Sequence, residues 1–114
     1  MPHYFLEGFE NDWRLVRETP HSQRFMVTTD EGKRASVDVH YTPSKILTVS
    51  ICCIGQEEEW SKAQLTPIMN ELSKIALRRS DYAVIDYSLS YAARIVDGNF
   101  SVDQQTREIF KETL

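Results

Sequence analysis

No long apolar run occurs in this sequence of 114 residues. A membrane-spanning helix needs roughly 18 or more consecutive apolar residues, and no segment approaches that length. The opening residues MPHYFLEGFEND also lack the basic start and the apolar run of a secretory signal. These absences predict a cytosolic protein that does not bind a membrane.

Cysteine is scarce, and the two cysteines, Cys52 and Cys53, are neighbours. Adjacent side chains of an extended strand leave opposite faces, so these two cannot form a disulfide without distorting the strand. We therefore expect two reduced thiols, at least one of them buried, in a reducing compartment.

The usual motifs of catalysis and ligand binding are missing as well. There is no Gly-rich phosphate loop, no Ser/His/Asp signature and no stripe of aromatic and basic residues for single-stranded nucleic acid. His3 and His21 lack the close helical spacing of a zinc motif. The sequence thus predicts no catalytic residue, no cofactor and no metal site.

Basic residues are fewer than acidic residues in this sequence. Thirteen Lys and Arg residues face seventeen Asp and Glu residues, which gives a net charge of −4. This is the wrong sign for a protein that binds the phosphate backbone, so we expect no direct contact with nucleic acid. The balance favours a basic protein as the partner.

The chain also lacks repeats, low-complexity tracts and linker-like segments, which predicts a single domain over residues 1–114. Its apolar content of 41% and charged content of 26% are ordinary for a globular protein and argue against disorder. A chain of this length buries about two-thirds of its unfolded surface.

Three segments of the first half alternate like strands: RFMVTT (24–29), RASVDVHYT (34–42) and KILTVSICCI (45–54). A DEG loop with Gly32 in the left-handed conformation connects the first two. A loop at residues 43–45 gives the odd length that keeps the apolar faces together. The predicted cross-strand pairs are Arg24 with Asp38, Asp38 with Ser50, His40 with Thr48 and Ser36 with Cys52.

The N-terminal segment leaves two interpretations open. HYFLEGF (3–9) and WRLVRE (13–18) can form a hairpin around a turn at residues 10–12. The spacing of Phe5, Phe9 and Trp13 is also compatible with a helix.

A helix is predicted within EEEWSKAQLTPIMNELSKIALRR (57–79). Ser61 and Gln64 have the spacing of a capping box, and Trp60 and Leu65 that of a hydrophobic staple. Thr66 and Pro67 suggest a second start, so we expect a kink or a short turn before the main helix. A single apolar stripe follows: Leu65, Ile68, Met69, Leu72, Ile75 and Ala76.

The alternation of AVIDYSLSYAARI (83–95) predicts one long strand that ends at Asp97, Gly98 and Asn99. Ser101 and Gln104 then open a C-terminal helix. The predicted fold is α+β: an antiparallel β-meander of about five to six strands, with one main helix and a C-terminal helix packed on one face.

The polar faces of these strands would form a continuous, uncovered surface, and this is where we expect a partner to bind. The acidic run before the helix is a second candidate, although it also suits the helix dipole. The predicted partner-binding residues are Asp38, His40, Ser50, Glu57, Glu58, Glu59, Asp86, Ser88 and Ser90.

The combination of small size, acidity and absent motifs favours a binding protein that docks on and inhibits a larger basic protein, such as a toxin or a nucleic-acid-directed enzyme. Immunity proteins act in this way. Two alternatives stay open: a small enzyme or ligand-binding domain using Asp38, His40 and Cys52, and a subunit that forms a homodimer through its sheet face.

Overall fold

The computed structural model describes residues 9–78, 84–91 and 95–101. These ranges contain six β-strands and one α-helix, with a short 3₁₀ turn, Glu57–Glu59, before the helix. In chain order the elements are β1 (Asp12–Thr19), β2 (Ser22–Thr28), β3 (Arg34–Tyr41), β4 (Ile46–Cys53), α1 (Lys62–Arg78), β5 (Val84–Ser90) and β6 (Ile95–Ser101).

All six strands belong to one sheet, in which the spatial order is the order along the chain. Strands β1 to β4 form an antiparallel meander, and β5 and β6 are antiparallel to each other. Strands β4 and β5 are parallel, because α1 returns the chain to the end of the sheet where β4 began. The prediction of a wholly antiparallel meander is therefore wrong at this pair, while the α+β class is confirmed.

The two predicted hairpin loops set the predicted register. Gly32 has a φ of 84° and donates its N–H to Thr29 O at 2.9 Å. This left-handed conformation closes the turn, and glycine adopts it without strain because it has no Cβ. The cross-strand pairs are confirmed: Arg24 with Asp38, Asp38 with Ser50, His40 with Thr48 and Ser36 with Cys52.

Helix α1 begins after the predicted cap. Ser61 N–H donates to Gln64 Oε1 at 2.8 Å, which is the reciprocal bond of a capping box. The helix runs from Lys62 to Arg78 with Pro67 inside it. The short turn predicted before a separate main helix is therefore wrong, and the other predicted outcome, a kink, stays a prediction. The apolar stripe is confirmed, since all its members are buried: Leu65, Ile68, Met69, Leu72, Ile75 and Ala76.

The core lies between α1 and one face of the sheet. Trp13 of β1 is fully buried, and its ring packs edge-on against Phe9 and Phe25 with centroids 5.9 and 5.3 Å away. Because Trp13 lies in β1, the helical interpretation of the Phe9–Trp13 spacing is wrong there. Each strand of the meander supplies alternate residues to this core, as the burial of Val37, Val39, Val49 and Ile51 illustrates.

A carboxylate is buried in this otherwise apolar layer. Glu71 of α1 is 1% exposed. Its Oε2 accepts the backbone N–H groups of Glu10 (2.6 Å) and Asn11 (3.1 Å), and its Oε1 accepts Asn11 Nδ2 (2.8 Å) and Trp13 Nε1 (2.9 Å). Four donors satisfy the group that burial would otherwise strongly destabilise.

The prediction of one long strand over residues 83–95 is wrong. Strand β5 ends at Ser90, and β6 pairs back along it, with Gly98 opposite Tyr87 in the middle of the pair. A Cβ at residue 98 would lie 2.7 Å from Tyr87 Oη. Gly98 therefore allows the close approach of Tyr87 within the sheet, and the sequence Asp97, Gly98, Asn99 lies inside a strand instead of ending it.

Some predictions fall on other parts of the chain. Most of the predicted strand at 3–9 lies outside the described residues, as does the predicted C-terminal helix after Ser101. No helix within the described ranges has the length and apolar character needed to span a bilayer.

The Glu71 network gives the first testable prediction. Glu71→Gln keeps the side-chain shape but replaces one oxygen with an N–H₂ group. Two of the four buried donors then lose their acceptor: either the backbone N–H groups of Glu10 and Asn11 or the side-chain donors of Asn11 and Trp13. We expect the free energy of unfolding to fall by about 2 to 3 kcal/mol. Urea denaturation measures this, with the exposed Glu58→Gln as the matched control; equal stability of the two variants would contradict the prediction.

Candidate functional site

Polar side chains cover the sheet face that α1 does not. Residues directly opposite each other in a sheet share a face. Asp38, Ser50 and Ser88 form one row across β3, β4 and β5, and His40 and Asp86 belong to the next row. We call this surface the open face; its polar residues on β2 to β5 are Ser22, Arg24, Thr28, Arg34, Ser36, Asp38, His40, Thr48, Ser50, Cys52, Asp86, Ser88 and Ser90.

The predicted placement of Asp38, His40, Ser50, Asp86, Ser88 and Ser90 on a single face is thus confirmed, and their role in binding stays a prediction. The centre of the face carries short side chains. Thr48, Ser50 and Cys52 of β4 are exposed in succession, while Leu47, Val49 and Ile51 between them are buried on the other face.

The open face has a β1 to β2 half and a β3 to β5 half, and the two differ in their balance of charges. On the β1 side, Arg14 and Arg17 of β1 lie opposite Met26 and Arg24 of β2. On the β3 to β5 side, the charged residues are the carboxylates Asp38 and Asp86 and one guanidinium, Arg34, which lies opposite Thr28 at the far end of β3. Among the described residues of the strands, carboxylates outnumber cations only on the β3 to β5 half, since Asp12 accompanies three arginines on the β1 to β2 half.

An ion pair joins the two halves. Arg24 Nε donates to Asp38 Oδ1 at 2.6 Å, and Arg24 Nη2 donates to Oδ2 at 3.3 Å. These hydrogen bonds, and then the charge of Asp38, raise the pKa of Arg24 above its usual value. The guanidinium is half exposed, so solvent screens the pair and it contributes little to stability.

Beside this pair the open face contains a recess of ≈ 330 Å³ at the end of β1 to β3. Its walls carry two guanidinium groups, one imidazole, one carboxylate and two hydroxyl groups. The lining residues are Arg17, Thr19, Ser22, Gln23, Arg24, Asp38 and His40.

The acidic run lies elsewhere. The turn Glu57–Glu59 follows β4, where Gly55 (φ 115°) redirects the chain toward α1. His40 pairs with Thr48 at the opposite end of β4, and Thr48 is about 13 Å along the strand from Cys52. The structure therefore does not bring the three glutamates together with His40 in one compact site.

The cysteines have different environments. Both thiols are free; Cys52 is exposed on the open face and Cys53 is buried in the core. Burial, with a smaller effect of Cys52, raises the pKa of Cys53 to about 12. The prediction of unpaired thiols with at least one buried is confirmed.

The geometry needed for a Cys52 nucleophile with His40 as its base is not present in this register. Cys52 lies opposite Ser36, and His40 lies opposite Thr48, four residues along β4. A nucleophile and its base must come within about 3 Å of each other. Asp38 stands beside His40 on the strand but is hydrogen-bonded to Arg24.

Sequence reasoning missed Arg17 as a residue of the open face. In an unbroken β1 Arg17 would alternate with Arg14 and project toward the core side. The register shifts between Leu15 and Arg17, so Val16 is an extra residue and Arg17 comes opposite Arg24. A bulge of this kind has no dependable signal in a single sequence.

Comparison with known proteins gives no identification: no protein-family model, curated protein or solved structure matches this chain. Within residues 9–78, 84–91 and 95–101, no group of three or more His, Cys, Asp or Glu side chains could hold a metal ion.

The two thiols give a second testable prediction. With a chromogenic disulfide reagent at pH 8, Cys52 should react quickly, whereas Cys53, with a pKa of about 12 and a buried sulfur, should react only on unfolding. Cys52→Ser should remove the fast phase and Cys53→Ser should leave it. Two fast thiols in the native wild-type protein would contradict the assignment.

Proposed function

We propose that this chain is a small, non-enzymatic binding protein that docks the β3 to β5 half of its open face on a larger, basic protein and inhibits it. The observation that supports this most directly is the exposed surface of the parallel pair β4 and β5. Parallel strands are usually covered on both faces, but here Thr48, Ser50, Cys52 and Asp86 are exposed opposite the helix-covered side.

The docking half is part of a larger surface. Six strands spaced about 4.8 Å apart and seven residues rising about 3.3 Å each give the whole open face a planar area on the order of 550 Å², of which three strands supply about half. Side chains raise the accessible area above these planar values, and a contact that reaches the roughly 800 Å² per partner of a standard protein interface extends past the β3 to β5 half onto the adjoining surface. The short side chains at the centre allow close approach, since few rotamers need to be fixed on binding.

Charge supports a basic partner for this half. Asp86 is exposed near the centre, and Glu58 and Glu59 are exposed at the end of β4, in a chain of net charge −4. Docking across the basic substrate channel of an enzyme would block it. A toxin or an enzyme that acts on nucleic acid has such a channel, and two free cysteines suit a cytosolic protein of this kind.

Cys52 allows a direct test, because it lies on the proposed interface. A photo-reactive maleimide on Cys52 should cross-link a partner in a lysate of the source cells. Ser50→Arg, which puts a bulky cation on the face, should abolish that cross-link. Asn70→Arg is the control: it adds the same side chain at an exposed position of α1 and should leave the cross-link intact.

Three results together would support the proposal: the cross-linked protein is basic, Ser50→Arg abolishes the cross-link, and the purified chain inhibits the activity of that protein. A cross-link equal in all three proteins, or one to a second copy of this chain alone, would overturn it. The latter result, together with a dimer in sedimentation, would establish the self-associating subunit.

Charge gives a further prediction for the identified complex. Replacement of Glu57, Glu58 and Glu59 by Gln should slow association and flatten its dependence on salt, because charges at the rim of an interface act mainly by steering the encounter. The unfolding free energy should change little. Association rates at low and moderate salt measure the effect; rates equal to wild type at both would remove the acidic turn from the interface.

A further inference from the structure

The recess at the end of β1 to β3 depends on an irregularity in the edge strand. Val16 is the extra residue of a bulge, and it turns Arg17 from the core side of β1 to the open face. Bulges often re-aim a side chain beside a functional site. Here the re-aimed side chain is a guanidinium that lines the recess.

The bulge creates an electrostatic conflict. Arg17 lies directly opposite Arg24, and like charges in directly opposed positions destabilise a sheet. Asp38 hydrogen-bonds to Arg24 and balances one of the two charges. Glu18 does not line the recess: it faces the other way and accepts a hydrogen bond from Gln23 at 2.7 Å. With two arginines and one aspartate, the recess is locally positive in an acidic chain.

The neighbouring side chains are neutral or basic donors. His40 lies on the wall beside Asp38. Thr19 and Ser22 lie opposite each other in the β1–β2 pair with their hydroxyl oxygens 2.7 Å apart, so one of these hydroxyls donates to the other and the second can donate to a ligand. Arg24 uses Nε and Nη2 on Asp38, which leaves Nη1 to donate.

We propose that this recess binds a phosphate group, held by Arg17 and Arg24 with His40 and the Thr19–Ser22 hydroxyls as further donors. Arginine forks and hydroxyl groups match the several oxygens of a phosphate. A carboxylate has only two oxygens, and Asp38 already occupies the matching position on Arg24. The recess is open at the surface, so it accepts either free phosphate or the phosphate of a monoester.

Binding is measured on the isolated chain, so the result is independent of the docking proposal. Sodium phosphate, phosphoserine and sodium acetate are each titrated into ¹⁵N-labelled protein at constant ionic strength. We expect saturable shifts of the amide signals of Thr19, Ser22 and His40 with both phosphates and not with acetate. Tighter binding of phosphoserine would identify a monoester as the ligand, and tighter binding of inorganic phosphate would identify the free ion.

Arg17→Gln should weaken phosphate binding by about tenfold or more, the usual effect of losing a charge-assisted hydrogen bond. Arg34→Gln is the matched control: it makes the same charge change on an exposed residue of β3, about 20 Å along the strand from His40. Equal weakening in both variants, shifts that do not saturate, or acetate binding as strong as phosphate binding would overturn the proposal.

Discussion

The carboxylate of Glu71 connects α1 to the edge of the sheet through four hydrogen bonds from Glu10, Asn11 and Trp13. A buried carboxylate is strongly destabilising unless its oxygens are satisfied, so only one arrangement of α1 and the start of β1 is acceptable. The indole of Trp13 is held both by this bond and by the rings of Phe9 and Phe25. The helix is thereby fixed over the β1 side of one face, and the other face is left to solvent.

This one-sided covering leaves the open face uncovered by α1, and it is there that we propose binding sites. The open face is not a uniform polar layer, because its two halves differ in charge and in side-chain size. Short side chains, among them Ser50 and Ser88, occupy the β3 to β5 half, where we propose that a protein docks. On the β1 side, the bulge at Val16 adds Arg17 to Arg24 and forms the recess that we propose for phosphate. The two proposals use adjoining areas and different chemistry, so a single protein could present both.

Much of the meander could be predicted from the sequence because its contacts are local. The DEG loop and the loop at 43–45 each fix a register between adjacent segments, and the period of two assigns each side chain to a face. This placed Asp38, His40 and Ser50 correctly, and the spacing of Ser61 and Gln64 located the start of α1. The same period could not separate one long strand from two, since the role of Gly98 depends on Tyr87, its partner across the sheet.

The sequence by itself thus determined the α+β class, the apolar stripe of α1, the hairpin registers and the separation of Cys52 from Cys53 onto opposite faces. Each of these follows from residues near one another in the chain. Only the tertiary structure decided the parallel pairing of β4 with β5, the burial of Glu71 and the position of Arg17. Glu71 and Asn11 are 60 residues apart, and a one-residue bulge leaves hydrophobic alternation almost unchanged. Such features arise from the packing of distant segments, which local periodicity does not encode.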